Sequence, residues 1–157
     1  MKKIITFLLS MTLLLTGLTA CAAETDANRN MCIVLQIGNP NMMVNGTEKP
    51  IDENGTAPVI VNDRTLLPIR AVIEEVGGAV EWDSETQTVL LAYNDNIITL
   101  AIDNSTAFLN DNAVPLDTAP AIINDRTMLP IRFIAESFHF DVNWLQDEQQ
   151  VIITSIT

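Results

Sequence analysis

The sequence predicts an α+β fold: two tandem copies of a unit made of strands, one short helix and a β-hairpin, with a mostly antiparallel sheet. Three observations lead there. Ala57-Pro58-Val59-Ile60-Val61-Asn62-Asp63-Arg64-Thr65-Leu66-Leu67-Pro68-Ile69-Arg70 recurs as Ala119-Pro120-Ala121-Ile122-Ile123-Asn124-Asp125-Arg126-Thr127-Met128-Leu129-Pro130-Ile131-Arg132, and the register continues without a gap to 16 identities in 35 positions at an offset of 62. After each proline the apolar residues keep helix spacing, at Ile69, Val72, Ile73 and Val76, and again at Ile131, Ile134, Ala135 and Phe138. Short apolar runs bounded by Asn, Asp and Gly lie before and after each stripe, which is the pattern of strands and hairpins.

The elements follow in order. Lys2-Lys3 precede an apolar run over residues 4–18, too short to span a bilayer comfortably, so residues 1–20 read as a secretory signal peptide. Its end, Leu18-Thr19-Ala20-Cys21, resembles the lipobox of bacterial lipoproteins. That resemblance implies cleavage before Cys21 and a diacylglycerol on its sulfur; the alternative is ordinary secretion with Cys21 incidental. Several buried acyl chains hold a membrane at about 0.8 kcal/mol per methylene, which makes a stable anchor. Residues 21–30, small and polar without periodicity, then form a flexible tether, and without Lys2 and Lys3 the net charge of −12 becomes −14.

Residues 31–93 form the first unit and residues 94–157 the second. Strands are expected over residues 32–37, 42–45 and 59–61, with Cys32 a buried, inert thiol. Upstream the repeat runs at an offset of 65, pairing Pro50-Ile51-Asp52 with Pro115-Leu116-Asp117, so the first unit carries extra residues near Glu53-Asn54-Gly55. Pro68 pushes Leu67 toward an extended conformation and starts the helix. Gly77-Gly78 supplies a left-handed stop, for which His139-Phe140 is a poorer substitute. Val80-Glu81-Trp82 and Thr88-Val89-Leu90-Leu91 flank an Asp83-Ser84-Glu85-Thr86 turn, and Trp82 and Trp144 are expected to cover the helices as core residues, the alternative being an exposed pair that stacks on sugar rings. A unit of roughly 62 residues is marginal alone, so the two share or abut a sheet.

Composition narrows the function classes. A charge of −12 disfavours nucleic acid and anionic lipid surfaces, and Arg29, Lys49, Arg64, Arg70, Arg126 and Arg132 are scattered singly, so no nucleic-acid partner is expected. With one His, one Tyr and two Cys the chain lacks material for most His/Cys metal sites or a Ser-His-Asp triad, and no metal or cofactor is expected.

The run Asn-Asp-Arg-Thr-Leu-Leu-Pro-Ile-Arg, followed by an apolar helix, Gly-Gly, Val-Glu-Trp-Asp and a Thr-Val strand, resembles the copper amine oxidase-like N-terminal domain, or stalk domain, over nearly all of residues 31–157. The resemblance implies a non-catalytic module, found in bacterial surface proteins alone or beside cell-wall-acting domains. Oxidase chemistry in that family needs three copper-binding histidines and a quinone-forming tyrosine in an Asn-Tyr-Asp/Glu context, whereas this chain has His139 and Ala92-Tyr93-Asn94. The expected function is therefore a non-enzymatic, lipid-anchored extracytoplasmic module: a stalk, an adaptor, or a binder of cell-wall polymer or another envelope protein. The alternative is a carboxylate-based cell-wall glycan hydrolase or accessory enzyme.

The most site-like segments are Asn62-Asp63-Arg64-Thr65 and Asn124-Asp125-Arg126-Thr127, polar loops held by rigid elements. Their plainer reading is a turn, with Asn-Asp bending the chain, Thr assisting the helix start and Arg packing over the sheet. Arg70/Glu74 and Arg132/Glu136 are spaced to pair along their helices. Asn94-Asp95-Asn96, Asp103-Asn104 and Asn110-Asp111-Asn112 lack the spacing of a calcium loop and read as turns.

Overall fold

The structure, a computed structural model, describes residues 31–155. The signal peptide (residues 1–20) and the whole expected tether (residues 21–30), Cys21 included, lie outside the described residues.

Sixteen elements follow one another: β1 (Cys32–Gln36), β2 (Asn41–Val44), β3 (Thr47–Pro50), β4 (Val59–Val61), β5 (Arg64–Pro68), α1 (Ile69–Glu75), β6 (Ala79–Asp83), β7 (Thr88–Tyr93), β8 (Asn96–Ala101), β9 (Thr106–Leu109), β10 (Asn112–Pro115), β11 (Ala121–Ile123), β12 (Arg126–Pro130), α2 (Ile131–Phe138), β13 (Phe140–Leu145) and β14 (Gln150–Ser155). Of the described residues 53% are in strands and 12% in the two helices, so the α+β expectation is corrected: the protein is mostly β, with three antiparallel sheets. Both helices have the apolar stripe the spacing demanded, but each is only two turns long. The segments Arg64–Pro68 and Arg126–Pro130 are strands rather than loops leading into helices.

The tandem arrangement is corrected as well. One five-stranded sheet runs β13-β14-β1-β2-β3, the other β10-β9-β8-β7-β6, and a four-stranded sheet runs β11-β12-β5-β4. Every sheet thus draws strands from both sides of Tyr93, and neither unit keeps a sheet of its own. Burial explains the preference, because a half-length chain cannot cover enough apolar surface by itself. In the four-stranded sheet β5 meets β12 with Leu67 opposite Leu129. In the first five-stranded sheet β14 lies along β1, with Ile153 opposite Ile33 and Val151 opposite Leu35. The Ser155 N–H donates to the Met31 carbonyl at 3.0 Å, and the Met31 N–H donates to Ser155 Oγ at 3.2 Å.

One core joins the layers. It includes Ile33 and Leu35 from β1, Leu67 and Leu129 from the central strands, Ile69, Ile73 and Ile134 from the helices, and Ile98 and Ile153 from the sheets. Tyr93, Phe138 and Phe140 form an aromatic triangle with ring centroids 5.0 to 5.9 Å apart. Strand alternation is regular where sheets are covered, as in β7 and β14, each of which buries every second residue.

Turn chemistry follows composition closely. Asn62-Asp63 and Asn124-Asp125 have φ of 50° and 58°, and 51° and 58°, two-residue connections with both φ values positive that suit a twisted hairpin. Asn94, Asp103, Asn110 and Asp111 also take positive φ, as turns rather than ligand loops. Helix α1 ends at Gly77 with φ 86°, where the Gly78 N–H donates to the Ile73 carbonyl at 2.8 Å. In α2 the left-handed position is taken by His139, φ 59° and ψ 40°, whose N–H donates to the Ala135 carbonyl. The second helix therefore stops as sharply as the first, with an imidazole where a glycine would be easier. Cys32 is half-buried in β1 and no cysteine among the described residues is a free thiol, which corrects the expectation of an inert free one.

Candidate functional site

Two grooves lie on the surface, of about 700 and 560 Å³. Their walls are built alike. In the first, Arg70, Glu74, Val80 and Trp82 from α1 and β6 face Ile122, Asp125, Arg126 and Thr127 from the β11–β12 hairpin. In the second, Arg132, Glu136, Val142 and Trp144 from α2 and β13 face Ile60, Asp63, Arg64 and Thr65 from the β4–β5 hairpin. Each groove thus joins the helix and tryptophan of one half to the hairpin of the other, because β5 and β12 pair at the centre.

The tryptophans correct an expectation. Trp82 is 38% exposed and Trp144 37%, so neither is a core residue. Their strands, β6 and β13, are the outermost in their sheets, and the helices cover only part of the face that Val80 and Trp82, or Val142 and Trp144, share. Ile60 and Ile122, from the outermost strands β4 and β11, add exposed apolar surface at 45% each. The Trp144 indole N–H donates to Gln146 Oε1 at 2.8 Å.

Ion pairs tie the grooves to the connecting loops. Arg126 Nε donates to Asp52 Oδ2 at 2.8 Å, and Arg64 Nε donates to Asp117 Oδ2 at 3.1 Å. The two are crossed equivalents, each arginine reaching the aspartate of the other half. They are not equally built. The Asp52 side chain is 15% exposed and that of Asp117 is 62%. The added residues Glu53-Asn54-Gly55 explain the difference, since they let Asp52 Oδ1 accept from the N–H groups of Asn54 at 3.0 Å and Thr56 at 2.9 Å. Burial alone pushes the Asp52 carboxyl upward, but hydrogen bonds from Thr56 and the Arg126 guanidinium outweigh it and hold the group below its usual value. On α1, Arg70 Nη1 pairs with Glu74 Oε1 at 3.3 Å and also donates to the Val80 carbonyl. Lys49 pairs with Glu75 nearby.

The sequence-chosen loops are thus placed as follows. Asp63, Arg64 and Thr65 line the second groove, and Asp125, Arg126 and Thr127 the first. Asn62 and Asn124 are exposed at the hairpin tips and line neither. The loops do not meet in one site. Sequence reasoning missed Asp52 and Asp117 as partners of the arginines, although their repetition in Pro50-Ile51-Asp52 and Pro115-Leu116-Asp117 was the available signal.

Chemically the grooves offer aromatic and aliphatic surface flanked by fixed charges. The two carboxyl groups with shifted affinity, Asp52 and Asp83, are both lowered; Asp83 accepts from the Thr86 hydroxyl and the Glu85 and Thr86 N–H groups in its hairpin turn. The donor set for copper does not assemble: His139 is exposed at the end of α2, Tyr93 is packed between Phe138 and Phe140, and among the described residues no three His, Cys, Asp or Glu side chains converge. No helix among the described residues is long and apolar enough to cross a membrane.

No match to the chain is found among curated proteins. The family model for the copper amine oxidase N-terminal domain, a non-catalytic domain, matches residues 53–153, from the loop that holds Arg126 to the last core residue of β14. That span takes in both helices, both hairpin turns and both tryptophans, and the chain belongs to the copper amine oxidase N-terminal domain family.

Proposed function

We propose that this protein is a non-enzymatic module of the bacterial cell envelope, tethered outside the cytoplasm by a lipid on Cys21, which holds a cell-wall polymer or another envelope protein in its two grooves. The observation that carries the binding reading is the exposure of Trp82 and Trp144. A tryptophan left over a third exposed inside a concave, charge-flanked surface supplies a large contact area at low entropic cost. The membership of a non-catalytic domain family supports the non-enzymatic part. The groove carboxylate Asp52 supports it too, because hydrogen bonds from Thr56 and Arg126 hold it ionised, the opposite of the raised affinity that a general acid needs. The lipobox-like Leu18-Thr19-Ala20-Cys21 supports the anchor and the location.

Retention on purified cell walls and on an envelope-protein fraction tests the binding, with wild type beside Trp82→Ala plus Trp144→Ala and Arg64→Ala plus Arg126→Ala. Wild type is retained on one of the two matrices and the tryptophan double variant is lost from it, with circular dichroism unchanged. Retention of neither, or turnover of wall glycan or an amine by the purified chain, overturns the reading. The anchor is tested separately. Cys21→Ser shifts the chain from membrane to soluble fractions. Because the chain has only two cysteines and Cys32 is not a free thiol, a thioether on Cys21 requires Cys32 to be bonded to another molecule; the non-reduced intact mass of the mature protein decides, and an intramolecular disulfide overturns the anchor.

A further inference from the structure

The two grooves share an architecture but not a charge. The first holds Asp52, Glu53, Glu74 and Asp125 against Arg70 and Arg126. Both arginines are already engaged, with Glu74 and Asp52, which leaves Glu53 and Asp125 as exposed carboxylates without an ion-pair partner among the described residues. The second groove holds Asp63 and Glu136 with Arg64 and Arg132, and Arg64 is itself engaged by Asp117. Nothing in the second half matches the added Glu53-Asn54-Gly55, so the carboxylate of Glu53 is particular to the first groove.

The first groove also runs between two strand edges. Strand β6 is the outermost in its five-stranded sheet and β11 the outermost in the four-stranded sheet; among the described residues neither outer edge has a strand partner, and on β6 the Val80 carbonyl accepts from the Arg70 side chain, which an added strand displaces. Trp82 projects into the groove from one edge and Ile122 from the other. An edge with an unpaired row of N–H and C=O groups is a template for an added strand, and side chains of alternating residues then reach the same wall. A glycan would use the tryptophan but neither the backbone edge nor the aliphatic Val80 and Ile122.

We propose that the first groove takes an extended, basic polypeptide segment of an envelope partner, which adds along β6, sets an apolar side chain against Trp82 and Ile122, and places a Lys or Arg between Glu53 and Asp125. This inference rests on the binding reading above and names its ligand. Electrostatic complementarity selects the partner and the strand edge fixes its direction. The second groove has no equivalent of Glu53 and holds a basic segment less tightly.

The test uses the full chain with Trp144→Phe, so that Trp82 alone reports by fluorescence, and four probes: an octapeptide alternating valine and lysine, its valine–glutamate counterpart, the lysine peptide N-methylated at every second amide, and a chitin hexasaccharide. The lysine peptide shifts Trp82 emission, while the glutamate and N-methylated peptides and the hexasaccharide bind at least about tenfold more weakly. Glu53→Gln plus Asp125→Asn, which leaves both arginine pairs in place, weakens the lysine peptide by a similar factor and leaves the thermal midpoint unchanged. Equal binding of the lysine and glutamate peptides, or of the methylated one, overturns the proposal, as does no peptide binding at all. If the wild type is still held by walls or envelope protein in that last case, the binding reading stands and only the ligand assignment fails.

Discussion

Leu67 on β5 sits directly opposite Leu129 on β12, and both are fully buried. These residues occupy the same place in the two repeats, so each half contacts its own equivalent at the centre of the four-stranded sheet. Truncating either one opens a cavity shared by both halves. Leu67→Ala and Leu129→Ala are each expected to cost about 2–5 kcal/mol in urea unfolding. The double variant costs measurably less or more than the sum, because the two residues touch.

Asp52 and Asp117 should behave differently in spite of their equivalent partners. Asp52→Ala removes a carboxylate that receives two backbone N–H groups and Arg126, and is expected to cost about 1–3 kcal/mol. Asp117→Ala, at an exposed pair, is expected to cost under about 1 kcal/mol. The pH dependence has a definite sign. The folded Asp52 binds its proton less readily than the usual value of 3.8 allows, so its stabilisation is fully present above that value and is lost as pH falls through the lower folded one. Acid unfolding of Asp52→Asn followed by circular dichroism should be flatter in that window than that of wild type.

The left-handed position after each helix offers a two-way comparison. His139→Gly removes the Cβ penalty at φ 59° and is expected to stabilise by about 0.5–1 kcal/mol. Gly77→Ala, at φ 86° where a Cβ meets no atom, imposes the same penalty in reverse and is expected to destabilise by a similar amount. Thermal midpoints of the two variants should move in opposite directions.

How much of this was legible in the sequence depends on range. The hairpin tips and helix stripes are local, and Asn-Asp pairs and proline-led apolar spacing announced them. Strand partners are not local. Nothing in Val34 says that it lies opposite Ile152, and the short, mostly exposed strands Thr47–Pro50 and Asn112–Pro115 bury no alternating apolar residues to betray them. That loss turned a mostly-β protein into an expected α+β one. The tryptophans failed for a related reason: period two tells which residues share a face, and Val80 and Trp82 do, but not whether anything covers it.

Gly78 is tightly enclosed, where the chain passes from α1 to β6. A Cβ built there lies 2.7 Å from the Ala92 carbonyl oxygen and 2.6 Å from Ile73 Cγ2, so the helix end would have to move away from β7. Gly78→Ala is expected to destabilise by roughly 1–3 kcal/mol. The equivalent position holds Phe140, which packs on Tyr93 and Phe138, and Phe140→Ala should cost about 3–5 kcal/mol by loss of that packing. Denaturant midpoints of both variants check the contrast.

Trp82→Ala is expected to cost about 1–2 kcal/mol, below the 3–5 of a core aromatic, since over a third of the side chain is already in solvent. Urea unfolding of Trp82→Ala beside Phe140→Ala gives the comparison within one protein. A cost equal to that of Phe140→Ala would put the indole in the core.

The clasp between Met31 and Ser155 closes the backbone of residues 31–155 into a ring in all but one covalent link. Strands β14 and β1 meet there as β7 and β8 meet across Asn94-Asp95, and the two junctions stand at corresponding places in their sheets. Which half comes first along the chain is therefore arbitrary as far as the folded state is concerned. A circular permutant, joined by a short linker from Ser155 to Met31 and opened between Asn94 and Asp95, would keep every strand neighbour and both grooves.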